Sequence, residues 1–210
     1  MSTPARRSDA SPSSPDVPGP EIERAWVVGI AAGDEAAFEA MFRAYYQPLY
    51  RFAHSYLHER EAAEDVVHDV LFRIWERRAQ WDIEGSLKTY LFTATRNRVL
   101  DYLRRLTIRR HTAADPAAAG TALRVVGIEE RVEGAELAAA MQRAIGRLPE
   151  RCRHTFLLQR QEGLSYEEVA RVMGVSPATV KIQMGRALKA LRAALGPLLA
   201  VAVTVLKQSA

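Results

Sequence analysis

The chain has 210 residues, 48% hydrophobic, 26% charged and 8% aromatic, the composition of a folded protein with room for one ordinary domain or two small ones. Its 29 Lys and Arg against 25 Asp and Glu leave a formal charge of +4, an excess that matters only where the basic residues are segregated. The single cysteine, Cys152, excludes an intramolecular disulfide scaffold and a cysteine-based zinc site, and the expected location is a reducing cytoplasm.

The first 20 residues, MSTPARRSDASPSSPDVPGP, hold two arginines with no apolar stretch behind them and five of the ten prolines. They lack the hydrophobic region of a secretory signal, and residues 1–20 are expected to be a disordered arm. Residues 21–110 are rich in Ala, Leu, Glu and Arg, contain one proline, Pro48, and read as consecutive helices. Residues 111–134 lose the amphipathic pattern and gain Gly and Pro, as a linker does, with one short apolar contact expected at Val125 and Val126. A second helical unit follows over 135–195. The remaining 196–210 form an apolar tail. Its run LGPLLAVAVTVL contains Gly196 and Pro197 and falls short of the roughly 18 to 20 residues that span a bilayer. The expected fold is therefore soluble and all-α, with two small helical domains joined by a flexible linker.

Within the first unit, EDVVHDVLFRIWERR (64–78) places Val66, Val67, Val70, Leu71, Ile74 and Trp75 on one side of a helix. Asp65, His68, Asp69, Arg73 and Glu76 occupy the other, either a solvated face or a partner-binding one. After a turn-like AQWDIEGS, a second helix is expected from Leu87 to about Leu106. From Arg96 to Arg110 it carries six arginines against one acid, Asp101, enough to neutralise several phosphates. Trp81, Tyr90, Phe92 and Tyr102 lie among those cations, and aromatic faces beside arginines stack unpaired bases. Each aromatic taken singly also fits an ordinary core position.

The second unit ends in GLSYEEVARVMGVSPATVKIQMGRALKALRAAL (163–195). Ser165 and Glu168 have the spacing of a capping box. Gly174 supplies the positive φ that closes the first helix, and Ser176 caps a second with Pro177 at its first position. Val180, Met184, Leu188 and Leu191 mark the buried stripe of that second helix. Thr179, Lys181, Gln183, Arg186, Lys189 and Arg192 are placed outside, and no acid follows Glu168. Two short helices joined by a Gly turn, the second basic, form a helix-turn-helix whose second helix enters a major groove. Upstream, MQRAIGRLPERCRHTFLLQRQ supplies supporting helices, with Pro149 starting the second and Cys152 a small, partly buried residue.

Other functions are weaker on these residues. His54 and His58 lie four apart with Glu61, Glu64 and Asp65 nearby, but Ala62 stands where an HExxH metalloenzyme needs its second histidine. Solvent-facing histidines are the better account, so no catalytic residue, metal, cofactor or small-molecule substrate is expected. A stand-alone helix-turn-helix regulator remains the alternative, although it would need a ligand pocket or dimer interface where the chain instead has a basic helix.

Three motifs in this order make the chain resemble, over roughly residues 36–195, a bacterial RNA polymerase sigma factor of the extracytoplasmic-function (ECF) group in the sigma-70 family. AEDVVHDVLFRIWERR is similar to the helix with which that family grips core RNA polymerase, which implies a polymerase-binding role for Asp65, His68, Asp69 and Arg73. YLFTATRNRVLDYLRR resembles the helix that reads and melts the minus-ten promoter element. That implies DNA contacts from Trp81, Lys88, Arg96, Asn97, Arg98, Asp101, Arg104 and Arg105. The C-terminal motif resembles the domain that binds the minus-thirty-five element, through Ser176, Thr179, Lys181, Gln183, Arg186 and Lys189. His68 stands where the family usually has Gln, and Ile182 with Gln183 where a Ser-Arg pair is common. Gln183 would suit adenine, and Lys181 or Arg186 guanine. The implied partners are core RNA polymerase, promoter DNA and an anti-sigma factor. In the free protein the basic surfaces are expected to be held apart or covered.

Overall fold

The computed structural model describes residues 18–81, 83, 85–112 and 135–208. Among them every long element is helical: α1 (Pro20–Ala31), α2 (Glu35–Leu57), α3 (Arg60–Glu76), α4 (Leu87–Thr112), α5 (Ala135–Gly146), α6 (Glu150–Phe156), α7 (Tyr166–Met173) and α8 (Pro177–Gln208). This is the all-α class expected above. Residues 113–134, with Val125 and Val126, and residues 1–17 of the arm lie outside the described residues.

Local chemistry sets the helix ends. Pro20 opens α1, where a missing amide hydrogen costs nothing, and Glu21 and Glu23 follow in its first turn, complementing the helix dipole. Asp34 caps α2, its carboxylate accepting from the amides of Ala36 (2.9 Å) and Ala37 (3.3 Å). That helix ends on His58, whose φ of 55° is the only positive value outside glycine among the described residues. Two boundaries differ from the sequence expectation. The basic helix α4 runs past Leu106 to Thr112, because nothing in LTIRRHT breaks a helix. The tail is no separate element either: α8 continues through Gly196 and Pro197 to Gln208.

The first four helices bury the stripes their periodicity announced. Met41, Tyr45, Leu49 and Phe52 of α2 meet Val66, Val67, Leu71 and Ile74 of α3 and Leu91, Phe92 and Val99 of α4. At roughly 1.5–3 kcal/mol for each large apolar side chain buried, this cluster is the main stabilising term. It does not stop at the domain boundary expected from sequence. Leu158, Leu164, Val169, Val172, Met173 and Val180 of the second unit join the same core. A separate cluster of Ala140, Ile145, Leu148, Cys152, Ala187, Leu191 and Leu195 ties α5 and α6 to α8.

The junction between the units is polar as well. The last carbonyls of a helix lack intrahelical partners, and α6 answers those of α2: Arg153 donates to the Ser55 carbonyl at 3.0 Å. The Nε2 of His154 lies 3.2 Å from the same oxygen; since a carbonyl only accepts, this nitrogen carries the proton. The His154 ring stacks on Tyr56 with centroids 3.5 Å apart. Lys88 at the start of α4 donates to the Glu162 carbonyl and sits 3.9 Å from its carboxylate. Thr89 donates to Glu168 of α7 at 3.0 Å.

Candidate nucleic-acid interface

Three surfaces carry the residues singled out from sequence. The first is the outer side of α3. Burial of Val66, Val67, Val70 and Ile74 leaves Asp65, His68, Phe72, Arg73 and Glu76 exposed in a row along the helix. Asp69 lies in the same row but is only half-exposed, because its carboxylate holds Arg73 at 2.9 Å and Arg98 of α4 at 2.6 Å. It therefore braces α3 against α4. His68 lies beside Tyr46, ring centroids 5.4 Å apart. Sequence reasoning did not single out Phe72, which is 62% exposed; its signal is the i, i+4 spacing from His68 on the polar side.

The second surface lies between α3 and α4, which flank a groove of about 430 Å³ lined by Asp69, Arg73, Arg77, Trp81, Tyr90, Asn97, Arg98 and Asp101, among others. Trp81 and Tyr90 meet edge to face at 5.8 Å on its wall. Asn97, Arg104 and Arg105 are exposed, while Arg96 and Arg98 are half-buried. Arg104 lies 3.2 Å from Asp101, one turn earlier on the same helix. The groove thus joins a cationic rim to an aromatic wall.

Lys88 sits elsewhere. It is 6% exposed and faces Glu162 across the junction, so in this conformation it is closed to solvent and to DNA alike. Burial pushes its ammonium below the usual lysine range, with Glu162, Glu23 and Glu168 opposing. The Glu162 carboxyl is pushed up by burial, against Lys88 and Arg51. The head of Arg96 lies close to Gly174, the turn glycine of the helix-turn-helix. The second unit therefore covers the early part of the basic helix, while Arg104, Arg105, Lys181, Arg186 and Lys189 stay exposed.

The third surface is the helix-turn-helix, built as its sequence dictated. Ser165 and Glu168 form the reciprocal capping box, Gly174 closes α7 at φ 63°, and the Ser176 hydroxyl accepts from the Thr179 amide at 3.1 Å. Burial works against ionised Glu168, but the Ser165 amide and hydroxyl and the Thr89 hydroxyl outweigh it and hold the carboxyl below its usual range. Lys181, Arg186 and Lys189 project to solvent. Gln183 does not: it is 6% exposed and accepts a hydrogen bond from buried Thr155 at 2.7 Å. The expectation that Gln183 reads adenine is corrected accordingly, since its amide carbonyl is spent inside the domain. The outward side chain at that level of the helix is Ile182, 56% exposed.

His54 and His58 stand with ring centroids 6.5 Å apart, and among the described residues no three His, Cys, Asp or Glu side chains are grouped to hold a metal. Nor, among them, is any helix long and apolar enough to cross a membrane.

A basic helix above an aromatic-walled groove, beside a helix-turn-helix with a cationic outer face, defines a DNA-binding protein of the helix-turn-helix class. Comparison with known proteins places it within that class. The Sigma-70 region 2 family matches residues 41–108 and the Sigma-70 region 4 family residues 138–191. The chain belongs to the sigma-70 family of RNA polymerase sigma factors, in its ECF group. It is 30% identical over 165 residues to the ECF RNA polymerase sigma factor SigM of Mycobacterium tuberculosis, covering 79% of this chain and 80% of that protein. It is also 30% identical over 132 residues to the probable RNA polymerase sigma factor RfaY of Xanthomonas campestris pv. campestris, a match that covers 60% of this chain and only 32% of that longer protein. Among solved structures, the sigma factor RpoE of Bartonella quintana, crystallised with the anti-sigma factor NepR, superposes with a TM-score of 0.60 at 25% identity. That match spans 76% of this chain and 96% of the other.

Proposed function

We propose that this sigma factor docks on core RNA polymerase through the exposed side of α3, grips the upstream promoter element with α8, and captures the opened minus-ten strand along α4 and its groove. The observation that carries this reading is the division of charge: an exposed row of Asp65, His68, Arg73 and Glu76 on α3 beside the arginine rim of α4. Opening duplex DNA costs a few kcal/mol for each base unstacked, and stacking on aromatic faces returns about 1–3 kcal/mol per base. Trp81 and Tyr90 on the groove wall are suited to that exchange, while Arg104 and Arg105 hold phosphates. Asp69 orients Arg98 from the polymerase side, so the docking face and the DNA groove are mechanically one unit. Polymerase supplies the effective concentration that lets two weak DNA contacts act together.

In this reading residues 21–110 form the polymerase and minus-ten module, 135–195 the minus-thirty-five module, and 111–134 the linker that sets their spacing. The junction that covers Lys88, Thr89 and part of Arg96 must part before α4 reaches DNA. The protein works in the cytoplasm without catalytic chemistry of its own. The complex of the Bartonella relative with NepR supports an anti-sigma protein as a further partner.

The test is equilibrium binding of the labelled full-length chain to core RNA polymerase. Asp65→Ala, which touches no brace within the fold, is expected to weaken the complex at least tenfold while helical content stays unchanged. Unchanged affinity for Asp65→Ala and Arg73→Ala together would overturn docking through α3.

A further inference from the structure

Among the described residues on the outer face of α8, Ile182 is the one large apolar side chain that neither packing nor charge explains. Val180, Gln183, Met184, Ala187 and Leu191 turn inward. At 100° per residue Ile182 lies almost diametrically opposite their centre. It is 56% exposed, with exposed Lys181, Arg186 and Lys189 around it. A branched apolar group in the middle of a cationic face gains nothing from water and nothing from its neighbours. Its position, five residues into a helix whose N-terminal turns face base edges in helix-turn-helix proteins, puts it where the major groove floor arrives.

That floor offers one apolar feature, the C5-methyl group of thymine. With Gln183 turned inward to Thr155, the position that faces the bases is apolar. The geometry points to Ile182 as a specificity-determining residue that selects thymine in the upstream promoter element by packing on its methyl group, while Lys181, Arg186 and Lys189 hold the flanking phosphates. This assignment rests on the promoter-binding role proposed for α8.

The experiment uses the full chain bound to core RNA polymerase. A duplex pool randomised over the upstream element is selected for binding and initiation. Each thymine recovered is then replaced in turn by deoxyuridine, which removes only the methyl group. One such replacement is expected to weaken wild-type binding about fourfold, the worth of one buried methyl-sized group. The same replacement should cost nothing in Ile182→Ala, and Ile182→Val should restore part of the penalty. Because Ile182 is exposed, these variants keep the wild-type melting temperature. Equal tolerance of uracil at every position, or a uracil penalty unchanged in Ile182→Ala, would overturn the thymine assignment while leaving promoter binding intact. A loss in Ile182→Ala that persists on DNA lacking the upstream element would assign the residue to a polymerase contact and overturn the proposal. A pool from which no upstream element emerges would overturn promoter binding by α8, and the thymine contact with it.

Discussion

Gln183 shows how one polar side chain divides between two roles. Facing a groove it would read a base; facing Thr155 it satisfies a hydroxyl that has no access to water. Removing one partner of a buried hydrogen bond costs about 1–3 kcal/mol. Gln183→Ala is therefore expected to lower unfolding stability by about that amount and to leave the base preference of the upstream element unchanged, measured by urea titration alongside promoter selection. A changed base preference at wild-type stability would place the side chain on DNA instead. The sequence contained the clue, since positions 180, 183, 184 and 187 have the spacing of a buried stripe. By hydrophobicity a glutamine in that stripe reads as surface, and only the spacing marks it as core. Ser165, Glu168, Gly174 and Ser176 were legible because capping and turn chemistry act within three or four residues.

At the level of elements, α3 and α4 differ in how much of their role the sequence discloses. The apolar side of α3 is buried as its spacing predicts, and the charged side stays outward except that it also carries exposed Phe72. Lys88 on α4 follows Leu87 and shares the inward side with Leu91 and Phe92. Its partner Glu162 lies 74 residues away, a pairing that no local pattern encodes. Trp81, 9% exposed, is mostly wall of the groove. Exposed Arg105 is a simpler case, a cation free to meet phosphate once DNA arrives. Arg105→Ala is expected to weaken promoter binding by the holoenzyme about equally across sequences and to reduce the slope of log K against log salt by about 0.7–0.9. An unchanged slope would remove Arg105 from the DNA surface.

The molecule as a whole is closed. The two helical units expected from sequence are present, yet their apolar stripes merge in one core, and buried Lys88 and Glu162 face each other at the seam. Taking away one member of a buried ion pair is destabilising, and without the Glu162 carboxylate Lys88 keeps only the backbone carbonyl as its partner at the seam. Glu162→Ala is therefore expected to favour separation, read as a longer distance between fluorophores on α2 and α8 with helical content preserved. An unchanged distance would show that the apolar contacts alone hold the units together.

Acid should loosen the same seam. Burial depresses His154 to about 3, so the ring stays neutral beside the Ser55 carbonyl, with Arg153, His58 and Arg96 adding positive charge around it. A freed histidine binds a proton near pH 6.5. Stability from closure is thus complete above about pH 6.5 and falls progressively toward pH 3 as the open form takes up that proton. Glu162, whose carboxyl is pushed up, works in the opposite sense, so the histidine is isolated by comparing wild type with His154→Gln. The wild type is expected to open on going from pH 7.5 to 5.5 more than the variant does. Identical responses would assign the change to other groups.

The central claim is that α3 delivers this chain to polymerase and that polymerase then lets α4 and α8 open a promoter. Run-off transcription with core RNA polymerase on promoter fragments from the source genome tests it most directly. Wild-type protein is expected to produce discrete start sites that vanish with Asp65→Ala, while the variant's circular dichroism matches the wild type. Asp69→Ala should also abolish them, but it breaks the brace to Arg98 as well, so Asp65 gives the cleaner reading. Tight binding of the free chain to the same fragments with no initiation, or start sites that survive Asp65→Ala together with Arg73→Ala, would contradict the account.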